Sequence, residues 1–82
     1  MTYDFQTQGT CSKAIRITEE DGVIKEVRFL GGCPGNTQGV ARLVEGRRAD
    51  EVIPLLEGIR CGAKNTSCPD QLARALKEMR GE

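Results

Sequence analysis

Apolar and polar side chains alternate along the N-terminal part of the chain, with the two-residue period that is typical of β-strands. The run YDFQ at positions 3–6 predicts a short first strand, and QG at positions 8–9 indicates a turn after it. A longer run, CSKAIRITE at positions 11–19, predicts a second strand. One face of that strand would carry Cys11, Lys13, Ile15 and Ile17, and the other Ser12, Ala14, Arg16 and Thr18.

A third strand follows a turn that ends in glycine, and the two longer strands together predict a β-hairpin. The segment EDG at positions 20–22 separates the second strand from VIKEVRFL at positions 23–30. The apolar face of this third strand would hold Val23, Val27 and Phe29, and Lys25 is an exception to the alternation.

Two turn lengths are compatible with this hairpin, and they give different registers. A two-residue turn would set Ile17 opposite Glu26, an apolar side chain against a charge. We therefore favour a three-residue loop with Gly22 in the left-handed conformation. This register pairs Ile15 with Val27, Ile17 with Lys25, and Cys11 with Gly31.

The remainder of the chain has helical spacing. NTQGVARLVEG predicts a helix with Val40, Leu43 and Val44 on its apolar face and Gly46 at its end. Asp50 would cap a short second helix that closes at Gly58, within which Pro54 limits or bends the helix.

The last helix, SCPDQLARALKEMR, has the clearest pattern in the chain. Its apolar face would hold Leu72, Ala73, Leu76 and Met79. Ser67, followed three residues later by Asp70, resembles a capping box, although Cys68 is an alternative cap. The fold class predicted for residues 1–82 is therefore one α+β domain, a small three-stranded antiparallel sheet packed against about three helices.

Composition narrows the functional classes. The 82 residues include 12 basic and 12 acidic side chains and few aromatic ones, which argues against a nucleic-acid partner. No apolar run is long enough for a membrane span, and the N-terminus has no signal-peptide pattern, so we expect a cytoplasmic protein with no membrane partner. In that reducing compartment, four cysteines favour a metal site or redox chemistry over structural disulfides.

The four cysteines can converge on one metal ion. Cys33 and Cys68 both precede predicted helix starts, where unpaired N–H groups stabilise a thiolate. The hairpin would bring Cys11 near Cys33, and six residues separate Cys61 from Cys68. Four thiolates suit zinc, a single iron or an iron–sulfur cluster.

Two alternatives stay open at this point. Cys61 and Cys68 could form a redox dithiol, or the cysteines could be small core residues. The chain has no histidine, which excludes the usual Cys-His and Ser-His catalytic pairs, and we predict no catalytic residues.

The run TSCPD at positions 66–70 is the signature for which the TSCPD domain is named. The chain resembles a short four-cysteine member of that family over nearly its whole length, including GTCSKAI, GGCPGNTQGVARLVEG and GIRCGAKNTSCPDQLARAL. The resemblance implies that Cys11, Cys33, Cys61 and Cys68 are metal ligands. Related domains lie at the C-terminus of adenosylcobalamin-dependent ribonucleotide reductases, so short members of the family are often named reductases. A chain of this length cannot hold the reductase barrel or its nucleotide site, so such a name would describe the activity of a relative.

The order of elements is also similar to that of iron–sulfur scaffold proteins. In that comparison Cys11, Cys33 and Cys68 occupy the ligand positions and Cys61 is a fourth. We therefore expect a zinc-binding accessory domain whose partner is a ribonucleotide reductase or another protein of nucleotide metabolism and DNA synthesis. A dithiol shuttle that uses Cys61 and Cys68, or an iron–sulfur carrier, is the alternative.

Overall fold

The structure, a computed structural model, describes residues 1–10, 12–32 and 34–81. Three strands and three helices follow one another along the chain. The strands are β1 (Thr2–Gln6), β2 (Ser12–Glu20) and β3 (Val23–Gly31), and the helices are α1 (Pro34–Val44), α2 (Ala49–Leu56) and α3 (Cys68–Met79). The strands form an antiparallel sheet in the order β1-β2-β3, so the predicted α+β class is confirmed.

Helices and sheet share one hydrophobic core. Ile15, Ile17, Ile24 and Val27 point from the sheet toward the helices, which contribute residues led by Val52, Leu72 and Leu76. The opposite face of the sheet is polar and carries the Asp4–Arg16 ion pair at 2.7 Å. Among the described residues, no helix is both long and apolar enough to cross a membrane.

The hairpin turn differs from the one that we favoured. Glu20 pairs with Val23, so Asp21 and Gly22 alone form the turn, and both have positive φ, 54° and 84°. Two successive left-handed residues give a turn whose twist matches that of the flanking strands. The three-residue loop was therefore the wrong prediction.

A β-bulge next to this turn prevents the pairing of Ile17 with Glu26 that we expected from a two-residue turn. The register shifts between Thr18 and Glu19, so Lys25 is an extra residue on β3 and Ile17 pairs with Val27 rather than with Glu26 or Lys25. Ile15 correspondingly pairs with Phe29. The bulge also turns Ile24 toward the core, three residues from Val27, which a strict alternation cannot do.

A second register shift lies between Ser12 and Ala14. It buries Ser12, which the alternation had assigned to the outer face, and leaves Lys13 exposed. Gly31 pairs with Ser12 rather than with Cys11, and Cys11 itself lies outside the described residues.

The helices agree with the predictions in existence and order, with two corrections. Leu43 is 71% exposed, and Ala41 instead packs in the core beside Val44. The residue before α2 is Arg48, which makes no side-chain capping hydrogen bond, so Asp50 lies in the first turn instead of capping it. All four predicted core positions of α3 are buried.

Candidate functional site

Ser67 fixes the start of α3. Its hydroxyl accepts a hydrogen bond from the backbone N–H of Asp70 at 3.2 Å and donates one to the carbonyl of Ile59 at 2.6 Å. The first contact satisfies a helix N–H that has no partner within the helix, and Pro69 suits a position where none is needed. The cap prediction for Ser67 is thereby confirmed, and Cys68 is free of the capping role as the first residue of the helix.

Asp70 ties this helix start to the end of α2. The residue is 3% exposed, and its carboxylate accepts hydrogen bonds from the Gly58 N–H at 2.7 Å and from the Thr66 hydroxyl. Arg74 donates a third at 3.2 Å. Burial by itself raises the pKa of Asp70, but these donors and the Arg74 charge outweigh it, and the pKa is lowered below its usual value.

Gln71 connects α3 to the loop between β1 and β2. Its side-chain amide donates to the Thr66 hydroxyl at 3.0 Å, and its carbonyl accepts from the Gln8 N–H at 3.1 Å. Gly9, with φ of 74°, approaches so closely that a Cβ there would lie 3.1 Å from the Thr66 methyl group. The loop that leads into β2 is therefore held against the N-terminus of α3.

The Cys68 sulfur faces the start of β2. Its side chain is buried, and Sγ lies 3.3 Å from the Ser12 hydroxyl. Gly32 also packs against Ser12, since a Cβ at Gly32 would be 3.2 Å from the Ser12 Cβ. The N-terminus of α3, the start of β2 and the residue that follows β3 therefore meet at Ser12.

Cys61 lies in an exposed turn near the same helix start. Its N–H donates to the Thr66 carbonyl at 3.2 Å, and its own carbonyl accepts from the Lys64 N–H at 3.0 Å. Cys61 and Cys68 are both free thiols, with no disulfide between them. Thr66 thus connects the backbone of Cys61 to the segment that ends in Cys68.

The other two predicted ligands, Cys11 and Cys33, lie outside the described residues. Within residues 1–10, 12–32 and 34–81, no group of three or more cysteine, aspartate, glutamate or histidine side chains could hold a metal ion. The structure therefore describes half of the predicted ligand set, and the four-cysteine site stays a prediction.

Comparison with protein families settles the relationship of the chain. The family model of the TSCPD domain matches residues 1–80. The chain belongs to the TSCPD domain family. Neither the curated proteins nor the solved structures include a significant match.

The TSCPD signature divides into supporting residues and one thiol. Thr66, Ser67 and Asp70 bind backbone and side-chain groups around the helix start, and Pro69 fits its first turn. Only Cys68 directs a reactive group toward another element, β2. The other four signature residues therefore hold the helix start that carries this sulfur.

The sequence analysis missed three residues that support the position of Cys68. Thr66 and Gln71 gave no periodic signal, because their role depends on pairing with Asp70 and Gln8 across loops. Ser12 was assigned to the wrong face, because one register shift reverses the alternation. Its place in GTCSKAI, beside a predicted ligand, was the only available signal.

Proposed function

We propose that this TSCPD-family protein is a small metal-binding accessory domain in which Cys11, Cys33, Cys61 and Cys68 bind one zinc ion. One observation carries the proposal: Ser12 contacts the buried Cys68 sulfur at 3.3 Å and packs against Gly32. Ser12 follows Cys11 in the chain and Gly32 precedes Cys33. The chain neighbour of Cys11 therefore contacts the Cys68 sulfur, and the chain neighbour of Cys33 packs against that same serine.

The described donors suit zinc chemically. Zinc favours thiolates, and Cys68 is buried at a helix N-terminus, where the helix dipole favours negative charge. Cys61 is exposed, and its backbone is paired with Thr66, two residues before Cys68. A bound zinc would supply folding energy and no open coordination position, since a tetrathiolate site is closed.

A closed structural site implies that the domain acts through a partner rather than by catalysis of its own. On the family relationship alone, we propose a ribonucleotide reductase or another nucleotide-metabolism protein as that partner. Addition of the metal-loaded domain to a purified adenosylcobalamin-dependent reductase should change its activity or thermal stability. A reductase that responds equally to the Cys68→Ser variant would contradict a role for the metal site.

Metal analysis tests the site. Protein produced without added zinc should contain about one zinc per chain and be colourless. Cys11→Ser and Cys68→Ser should both lose the metal, because each removes one of four ligands. A Cys11→Ser variant that retains the full metal content and fold would refute the four-cysteine site.

The second candidate, a dithiol shuttle, is favoured by one observation: Cys61 is an exposed free thiol and Cys68, also free, is the first residue of a helix. In that reaction the two thiols would be oxidised to a disulfide while a disulfide of the partner is reduced to two thiols. Metal-free protein with a reversibly titrating thiol pair, insensitive to Cys11→Ser, would support it. An absorbing iron–sulfur chromophore would instead support cluster carriage.

A further inference from the structure

Three hydroxyl groups surround the entry into β2, next to the Cys68 sulfur. The Ser12 hydroxyl lies 3.3 Å from Cys68 Sγ and 3.0 Å from the Thr10 hydroxyl. Thr7 donates to the Ser12 carbonyl at 2.5 Å, and the Thr10 hydroxyl lies 3.3 Å from that same carbonyl. The side chain of Ser12 is only 4% exposed, so its hydrogen bonds cannot be made to bulk water.

The number of available hydroxyl protons determines which group donates in each of these hydrogen bonds. A metal-bound sulfur carries no hydrogen and can only accept, so the single Ser12 hydroxyl proton must point at Cys68. The Ser12 oxygen can then accept from Thr10. The single Thr10 hydroxyl proton has two acceptors within reach, the Ser12 carbonyl at 3.3 Å and the Ser12 hydroxyl at 3.0 Å, and the shorter contact is the one to the hydroxyl.

We propose that Ser12, supported by Thr10, is a positioning residue that orients the Cys68 sulfur for metal binding. The proposal rests on the proposed function and adds to it a hydrogen-bonded outer shell. Such shells fix the orientation of a metal ligand, and their loss weakens metal affinity by about 10–100-fold. The hydrogen bonds that connect Thr10, Ser12 and Cys68 also give a reason for the two hydroxyl residues that flank Cys11 in GTCSKAI.

Cobalt titration with the full chain tests this proposal. Thiolate-bound Co²⁺ gives sulfur-to-metal charge-transfer bands, and competition with a chelator gives the affinity. Ser12→Ala should retain one Co²⁺ per chain but bind it about 10–100-fold more weakly. Thr10→Val should cause a smaller loss, because Ser12 can still donate to Cys68.

Thr18→Val is the control, because it removes a hydroxyl from the same strand at a position that pairs with Thr2 and Glu26, at the far end of the strand from Ser12. It should leave the cobalt affinity unchanged. Thermal unfolding of each variant without metal separates a positioning role from a folding defect, because Ser12→Ala should lose affinity without a comparable loss of metal-free stability.

The outcomes distinguish this inference from the proposed function. If Ser12→Ala binds Co²⁺ as tightly as the wild type while Cys68→Ser does not bind it, the positioning role is refuted and the metal site stands. If the affinity loss is matched by an equal loss in metal-free stability, Ser12 is merely structural and the inference fails. If the wild type binds neither Co²⁺ nor Zn²⁺, the proposed function fails and the inference with it.

Discussion

Replacing Asp70 with asparagine preserves the size of the side chain but turns one of its two acceptor oxygens into a donor. In the protein one oxygen accepts from the Gly58 N–H, and the other accepts from Thr66 and Arg74. An asparagine can keep the first contact and must lose the second. A hydrogen bond to a buried charge contributes about 1.5–3 kcal/mol, and an i,i+4 ion pair with the exposed Arg74 about 0.3–0.5 kcal/mol.

We therefore expect Asp70→Asn to lower the free energy of unfolding by about 2–3 kcal/mol. For a domain of this size that corresponds to a fall in Tm of roughly 10–20 °C. Asp50→Asn is the matched control, since Asp50 also lies in the first turn of a helix but is exposed and contacts Arg48. Its loss should be below about 1 kcal/mol. Urea unfolding at equal metal content measures both.

The pH dependence gives this prediction a second readout. Folding lowers the pKa of Asp70 from an unfolded value of about 3.9, so the unfolded chain binds more protons in acid. The carboxylate's contribution is complete above about pH 5 and disappears as the pH falls below about 4. The gap between wild type and Asp70→Asn should therefore shrink in acid. Asp70→Asn as stable as Asp50→Asn at pH 7, or a gap unchanged at pH 3, would refute the argument.

Three further predictions test the fold and the site. Leu76→Ala removes most of a fully buried side chain and should lower the free energy of unfolding in urea by about 2–5 kcal/mol, whereas Leu43→Ala, at an exposed position, should change it by less than about 0.5 kcal/mol. Equal losses would contradict the core assignment. Gly22→Ala forces φ of 84° on a residue with a Cβ and should cost about 1–2 kcal/mol by the same assay; no loss would argue against the two-residue turn. Gly32→Ala would press on Ser12 and should weaken Co²⁺ binding in a chelator competition; unchanged affinity would contradict their close packing.

The class of the fold and the order of its elements could be predicted because they follow local periodicity. Alternation of apolar and polar residues predicts the strands. Helical spacing predicts α3, and the two leucines of its predicted apolar face, Leu72 and Leu76, are both fully buried. The hairpin register could not be predicted, because it depends on a bulge at Lys25 that places both Ile24 and Val27 in the core, and the bulge has no signature in the alternation.

The residue types of the candidate site could be predicted from the sequence, but the hydrogen bonds that hold them in place could not. The cysteines and the Ser67 cap are visible as residue types at recognisable positions. The contacts of Asp70 and Ser12 join residues that are far apart in the chain, and no local pattern encodes them. Long-range contacts of this kind follow from the tertiary arrangement of loops, which single-sequence periodicity does not specify.

X-ray absorption at the zinc edge measures the metal's neighbours directly. For the purified wild-type protein we expect a first shell of four sulfur atoms at about 2.3 Å, one from each cysteine. A shell dominated by oxygen or nitrogen, or protein that contains no metal, would contradict the four-cysteine site.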